Sequence, residues 1–225
     1  MIACLRLFSA LCLAALLAAC ASSPSSSLGE LPRTPDATIE QLLEQATSAK
    51  TPEKAALLRL SAADMAFHQN NPGRSAQILA QVPLDSLKPA AQVFASTLTA
   101  ELAMTRNQPK AALTALSHPS LQNLKELPPE QQVRTGTVHA RAYEADGQTL
   151  AAARERVDIA PLLTGDAAAS NHEAIWSLIA AVPGEQLQAS GNPTLDGWIS
   201  LAQAVKNAGT LEQQQAAIDT WRAQN

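Results

Sequence analysis

Few residues in this chain have the types and spacing that chemistry needs. The four histidines, His68, His118, His139 and His172, are far apart, and no H-x-x-x-H pair or adjacent acid set gives metal-ligand spacing. They read as solvated surface side chains. The acid pairs Glu53 with Asp64 and Glu155 with Asp158 fit charged helix faces better than a general acid and base. A glycan-cutting enzyme needs two carboxylates about a cleft, usually with aromatics to hold the sugar, and aromatics make up 3% of this chain. No G-x-S-x-G elbow, phosphate-binding P-loop or G-x-G-x-x-G after a strand occurs. The expectation is a protein that is not an enzyme and carries no cofactor and no metal. A lipid-anchored hydrolase would require acids and histidines to converge in one pocket.

The cysteines tell more. Arg6 is the one charged residue before an apolar run from Leu7 to Ala19, close to the length of a secretory signal core. Such a run is short of the roughly 20 residues needed to span a membrane permanently. It ends in Leu17-Ala18-Ala19-Cys20, which resembles the lipobox of bacterial lipoprotein precursors. That resemblance implies cleavage before Cys20, which then carries a thioether-linked diacylglycerol and an acylated amine. An ordinary signal peptide with an A-x-A-like site is the competing reading. Cys4 lies too near the start, and Cys12 follows Leu11, a poor cleavage residue; both lie in the signal segment, residues 1–20, and leave when it is cut before Cys20. The mature chain then has no free thiol for disulfide, redox or zinc chemistry. Two or more acyl chains make a stable anchor in a lipid bilayer where one is marginal. Ala21, Ser22 and Ser23 lack the aspartate that resembles an inner-membrane retention signal in this class. The expected destination is the periplasmic face of the outer membrane.

Residues 21–35, ASSPSSSLGELPRTP, are rich in Ser and Pro and should stay mobile as a linker. Fully extended, they could reach about 50 Å at ~3.3 Å per residue. The remainder, 36–225, is large enough for one domain or a repeat array. The chain has 20 acidic against 16 basic residues, a net charge of −4, and its Lys and Arg do not cluster beyond pairs such as Arg154 and Arg156. Nucleic-acid binding has no electrostatic footprint here. Abundant alanine and scarce strand patterning make the class all-α.

Helix signals recur along this region. Thr38-Ile39-Glu40-Gln41 suggests a capping box, opening a helix with Ile39, Leu42, Leu43 and Ala46 on one face. Thr51-Pro52-Glu53 opens another that presents Leu58, Ala62, Met65 and Ala66, and Asn70-Asn71-Pro72-Gly73 stops it. A shorter helix runs through Ala76, Ile78 and Leu79. The same order returns from Pro89, with Phe94, Leu98 and Leu102, then Pro109 with Ala112, Leu113 and Leu116. It returns again from Pro129, with Val133, Gly136, Ala140 and Tyr143, then Ala151, Ala152 and Val157. Aligning Ala76, Ala112 and Ala151 gives offsets of 36 and 39 residues, close to a tetratricopeptide unit. The fold expected is stacked helical hairpins, a tetratricopeptide-like α-solenoid several tens of Å long, with repeat-like hairpins to about residue 160. Chance self-similarity among alanine-rich helices is the alternative, and it too is helix on helix. Closing helices over 166–225 carry Ile175, Leu178, Ile179 and Val182, then Trp198, Leu201, Ala202 and Val205, then Leu211, Ile218 and Trp221.

The most specific text is HEAIWSL at 172–178, LDGWISLA at 195–202 and AIDTW at 217–221. These three spaced tryptophans and the Gly-Trp pair resemble the N-terminal domain of the LpoA (LppC) family, outer-membrane lipoproteins that activate class A penicillin-binding proteins. More weakly, the resemblance takes in the lipobox, linker and helices. It implies a helical spacer or regulatory arm in peptidoglycan synthesis, with a class A penicillin-binding protein as partner. In that family the activating contact is expected from a second domain resembling periplasmic solute-binding proteins. This chain departs from the pattern by stopping at Ala223-Gln224-Asn225, so it is either a fragment or a shortened protein retaining the arm. Trp176, Trp198 and Trp221 read as core anchors; as a partner hot spot, at least one would have to be exposed. The alternative function is a tetratricopeptide-like adaptor in outer-membrane assembly or secretion, which would need an Asn-, Lys- or Arg-lined groove along its inner helices.

Overall fold

The computed structural model describes residues 27–33 and 36–224. Among them lie ten α-helices and no strand: α1 (Ile39–Thr47), α2 (Pro52–His68), α3 (Pro72–Leu79), α4 (Pro89–Thr105), α5 (Pro109–Ala115), α6 (Pro129–Ala145), α7 (Thr149–Ile159), α8 (Gly165–Ala181), α9 (Pro193–Asn207) and α10 (Leu211–Gln224). Six of the ten open on proline at the first helical position, where a missing N–H costs nothing and φ is already helical. At the first helix the capping box is complete: the Gln41 N–H donates to Thr38 Oγ1 at 3.2 Å and the Thr38 N–H to Gln41 Oε1 at 2.8 Å.

Helices pair into hairpins α2–α3, α4–α5, α6–α7 and α8–α9, with α1 against α2 and α10 against α9. Each long first helix, α2, α4, α6 and α8, has 17 residues. The first three end alike. Asn70 (φ 57°), Asn107 (φ 55°) and Gly147 (φ 78°) occupy the left-handed region. At each, two amides fold back on the helix end: Asn71 to Ala66 O at 2.9 Å, Gln108 to Ala103 O at 3.0 Å, and Gln148 to Tyr143 O at 2.8 Å close the outer loop. This is a Schellman turn repeated at equivalent places, and it makes the repeat structural rather than compositional. Asn71-Pro72 therefore ends one helix and starts the next, with the Asn71 side chain capping the Arg74 amide at 3.1 Å.

The core is a series of clusters along the stack rather than one centre. One gathers Ile39, Leu42, Leu60 and Ile78 against α4, another Ala100, Ala112, Leu116 and Val138, and a third Val157, Ile175, Ile179, Leu195 and Ile199. In α4, Ala91, Val93, Ala95, Leu98 and Ala100 are all buried, because this helix has neighbours on most of its circumference. The structure also shifts the expected faces. Leu58, Met65 and Val133 are half-buried, while Ala56, Leu60 and Ala63 of α2 and Thr135 and Val138 of α6 are buried. A helix in a stack packs on both flanks, so a single-stripe reading selects one flank and misses the other. Gly136 shows how close the approach becomes: a Cβ there would collide with Ile159 Cγ2 on α7. Between α4 and α6 a buried polar set closes on itself, with Thr97 and Thr135 hydroxyls 2.8 Å apart and Gln131 Nε2 donating to Thr135 Oγ1 at 3.0 Å.

Two segments depart from the simple repeat. A 3-10 helix over Pro119–Glu126, long for its type, joins α5 to α6 and packs on α4. Thr164-Gly165-Asp166 opens α8, with Thr164 at the cap position. The Ser/Pro stretch also has a docked part. Leu28 and Leu31 pack against Ala90, Val93 and Leu127, and the Ala90 N–H donates to Leu28 O at 2.9 Å.

Candidate functional site

The sequence-derived lipidation site, Cys20, lies outside the described residues, as do the rest of the signal (1–20), residues 21–26, Thr34, Pro35 and Asn225. The site that the structure does build is ionic and joins the long helices. Asp64 of α2 and Glu101 of α4 occupy the same register, twelve residues after Pro52 and Pro89. Arg134 of α6 reaches both. Its Nε and Nη2 donate to the two Glu101 carboxylate oxygens at 2.9 and 2.6 Å, and Nη2 also donates to Asp64 Oδ1 at 2.6 Å. The Phe94 ring lies under the guanidinium, 4.7 Å from centroid to Cζ. The three side chains are only 13–19% exposed. Burial opposes the Arg134 charge, yet Glu101 and then Asp64 hold its pKa above the ordinary value. One side chain thus ties three successive hairpins together. Sequence reading placed Asp64 on a charged face with Glu53 and singled out neither Glu101 nor Arg134. Glu53 instead faces Lys88 at 3.9 Å.

Of the four histidines, His68 and His172 are exposed. The other two correct the solvated reading, because each is half-buried by a contact it makes. His118 caps the 3-10 helix: its Nδ1 accepts from the Ser120 amide at 3.2 Å. His139 stacks on Tyr143 with centroids 4.5 Å apart, and its Nδ1 lies 3.2 Å from Glu155 Oε1. Burial, followed by the Glu155 charge, raises the pKa of Tyr143 and also that of Asp158. This is the nearest approach of acids and a histidine, but the Tyr143 ring covers the imidazole. Among the described residues, open clefts lie elsewhere: between α3, α4 and α5, beside Gly147 and Pro183, and between α9 and α10. Among the described residues no group of three or more His, Cys, Asp or Glu is placed to hold a metal ion. Nor is any helix among them long and apolar enough to cross a membrane.

The three tryptophans gather toward the closing end. Trp176 and Trp198 pack on the buried α8–α9 cluster. Trp221 of α10 meets Trp198 at 4.7 Å between ring centroids, and the His172 ring lies 6.0 Å from Trp198. All three indoles are half-buried. They join the edge of the core rather than its centre, because α8–α10 form the last layer and nothing in the described chain stacks beyond it.

The sequence model of the family described as "LppC putative lipoprotein" matches residues 32–225. The chain belongs to the LppC family. It is similar to the penicillin-binding protein activator LpoA of Dickeya chrysanthemi, 31% identical over 130 residues, which cover 56% of this chain and 18% of that protein. With the LpoA of Vibrio cholerae it is 25% identical over 226 residues, covering 98% of this chain and 37% of the relative. The chain therefore spans well under half the length of these curated relatives. Among solved structures, the amino-terminal domain of E. coli LpoA matches with a TM-score of 0.59 at 18% identity, covering 90% of this chain and 91% of that one. Full-length LpoA of Haemophilus influenzae matches with a TM-score of 0.59 at 20% identity, covering 85% of this chain and 35% of that one. These likenesses are of fold, and they extend over nearly the whole described array of this LppC-family chain. The named curated relatives are penicillin-binding protein activators.

Proposed function

We propose that this chain is the helical arm of an LpoA-type activator, an outer-membrane lipoprotein held on the periplasmic face by acyl chains on Cys20. It serves peptidoglycan synthesis by a class A penicillin-binding protein, as spacer and regulatory arm, without catalysing a reaction itself. The observation that carries this reading is the near end-to-end correspondence between this array and the amino-terminal domain of E. coli LpoA, 90% of one chain against 91% of the other. The clip at Asp64, Glu101 and Arg134 fits a spacer, since a part that holds two things apart needs its repeats locked together. It fits an adaptor poorly: the Arg134 guanidinium of α6 is already occupied by two carboxylates of its own chain and is not free to hold a peptide carboxylate.

The test has two arms. Cells expressing the full chain are fed a labelled fatty acid and fractionated, with Cys20→Ala as control. Label and outer-membrane position that both depend on Cys20 support the anchor; an unlabelled chain in the soluble periplasm would sink it. Separately, the chain is cross-linked in cells and its partners are identified by mass. Recovery of a class A penicillin-binding protein supports the arm, whereas recovery of secretion or assembly components alone would replace it with the adaptor reading.

A further inference from the structure

The Ser/Pro segment ahead of α1 is not uniform, because one part of it is built onto the array. Leu28 and Leu31 rest on Ala90, Val93 and Leu127, alongside Leu121 and Leu124 of the 3-10 helix. The Leu28 carbonyl accepts from the Ala90 amide at 2.9 Å. Ala90 is the second residue of α4, a position whose N–H has no acceptor inside the helix. Gly29 between the leucines has φ +86°, and a Cβ there would sit 2.5 Å from Lys88 Cβ. The strap therefore supplies a missing helix-end bond and follows a path that only glycine fits.

We propose that residues 28–31 are a releasable strap that sets the length of the lipid tether; the proposal rests on Cys20 being the lipidated residue. With the strap docked, the chain between Cys20 and Leu28 can span at most about 25 Å at ~3.3 Å per residue. The tether then joins the array on the flank of α4. With the strap released, the free chain runs to Ile39 and its limit rises to about 60 Å by the same measure. What holds the strap, with two half-buried leucines and the Leu28–Ala90 backbone bond among its contacts, works against the ordering entropy of a Ser/Pro segment. Docked, the strap keeps the arm near the bilayer; released, it lets the arm reach further into the periplasm.

The experiment uses the full lipidated chain in phosphatidylethanolamine–phosphatidylglycerol vesicles, with its N-terminal mass confirming lipid on Cys20. Hydrogen exchange is followed at the Ala90 amide, and energy transfer is read from a dye on Ala111→Cys to acceptor lipids. In the otherwise native chain Ala90 should be protected. In Leu28→Ser/Leu31→Ser, and independently in Gly29→Ala, Ala90 should exchange about tenfold faster or more while the core amide of Leu98 is unchanged. Energy transfer should fall in the same variants. An Ala90 amide that exchanges equally fast in all three chains, or transfer that does not change when it is freed, would overturn the strap. A chain with Ala90 protected but no lipid and no transfer would overturn the tether role and trace the failure to Cys20 rather than to the strap.

Discussion

At the scale of single residues, Arg134 is the side chain whose loss should be felt furthest. Replacing it with Met leaves Asp64 and Glu101, each mostly buried, without the guanidinium that both of them bind. Removing one partner of such a set costs more than the set itself contributes, because the remaining charges stay desolvated. Arg134→Met should therefore destabilise the fold by about 2–4 kcal/mol in urea unfolding. The triple change Asp64→Leu, Glu101→Leu, Arg134→Met should recover most of that loss; if it does not, the clip stabilises by more than mutual neutralisation. Asp158 gives the opposite, smaller case. Burial and Glu155 raise its pKa in the folded chain, so the folded state binds its proton more tightly than the unfolded one. Its ionisation thus subtracts stability as the pH rises from the unfolded carboxylate range through the raised folded value. Asp158→Asn should be slightly more stable at neutral pH, by less than about 0.5 kcal/mol since water screens this exposed side chain. Melting curves at pH 7 and pH 3 check the sign: the advantage should vanish at the lower pH.

At the scale of elements, the helix ends govern the repeat. Asn70 and Asn107 hold left-handed backbone, which asparagine tolerates and glycine adopts without strain. Asn107→Gly should raise stability by about 0.5 kcal/mol and Asn107→Ala should lower it by about 1 kcal/mol, both read as shifts in thermal midpoint. Equal shifts would mean that the turn does not depend on that conformation. These ends also explain what was legible beforehand. Thr38 with Gln41, Thr51 with Pro52, and the prolines opening α4, α5 and α6 are local signals, interpretable without knowing any neighbour. The extended pairing of Arg134 with residues on two other helices is not local. Asp64, Glu101 and Arg134 are ordinary surface charges in sequence, and only the stacking of α2, α4 and α6 makes them a set. The docked strap escaped for a related reason: Leu28 and Leu31 are two apolar residues in a polar stretch, and their partner Leu127 is a hundred residues away. His139 looked solvated because the Glu155 carboxylate that engages it lies on another helix; the Ser120 amide that His118 caps is only two residues away, a local contact that the sequence reading passed over.

At the scale of the whole molecule, a stack of hairpins in which each unit touches mainly its neighbours should lose stability from its ends. The two ends of the described array differ. At the first, α1 buries Ile39, Leu42 and Ala46. At the other, α10 buries none of its described residues, and Leu211 is 83% exposed. Its hold on the array runs through α9, chiefly where Trp221 leans on Trp198. Ending the chain after Asn207 should therefore leave α1–α9 folded, with the helical signal falling only by the residues removed and the urea midpoint changing little. Trp198 is the internal reporter, since it loses its contact with the Trp221 ring while that with His172 remains. Its emission should shift to longer wavelength, and Trp198→Phe in the shortened chain should abolish that shift. Amide exchange in the intact chain should rank the same way, fastest in α10, slower in α9 and slowest in α4, the helix with the most buried residues. Cooperative loss of all helices on removing α10 would mean that the array folds as one unit and that its last helix closes the core. Graded exchange with the first nine helices intact would mean that the α10 end is the soft end of the stack, bearing an exposed face where a further layer could be added without rebuilding what lies beneath.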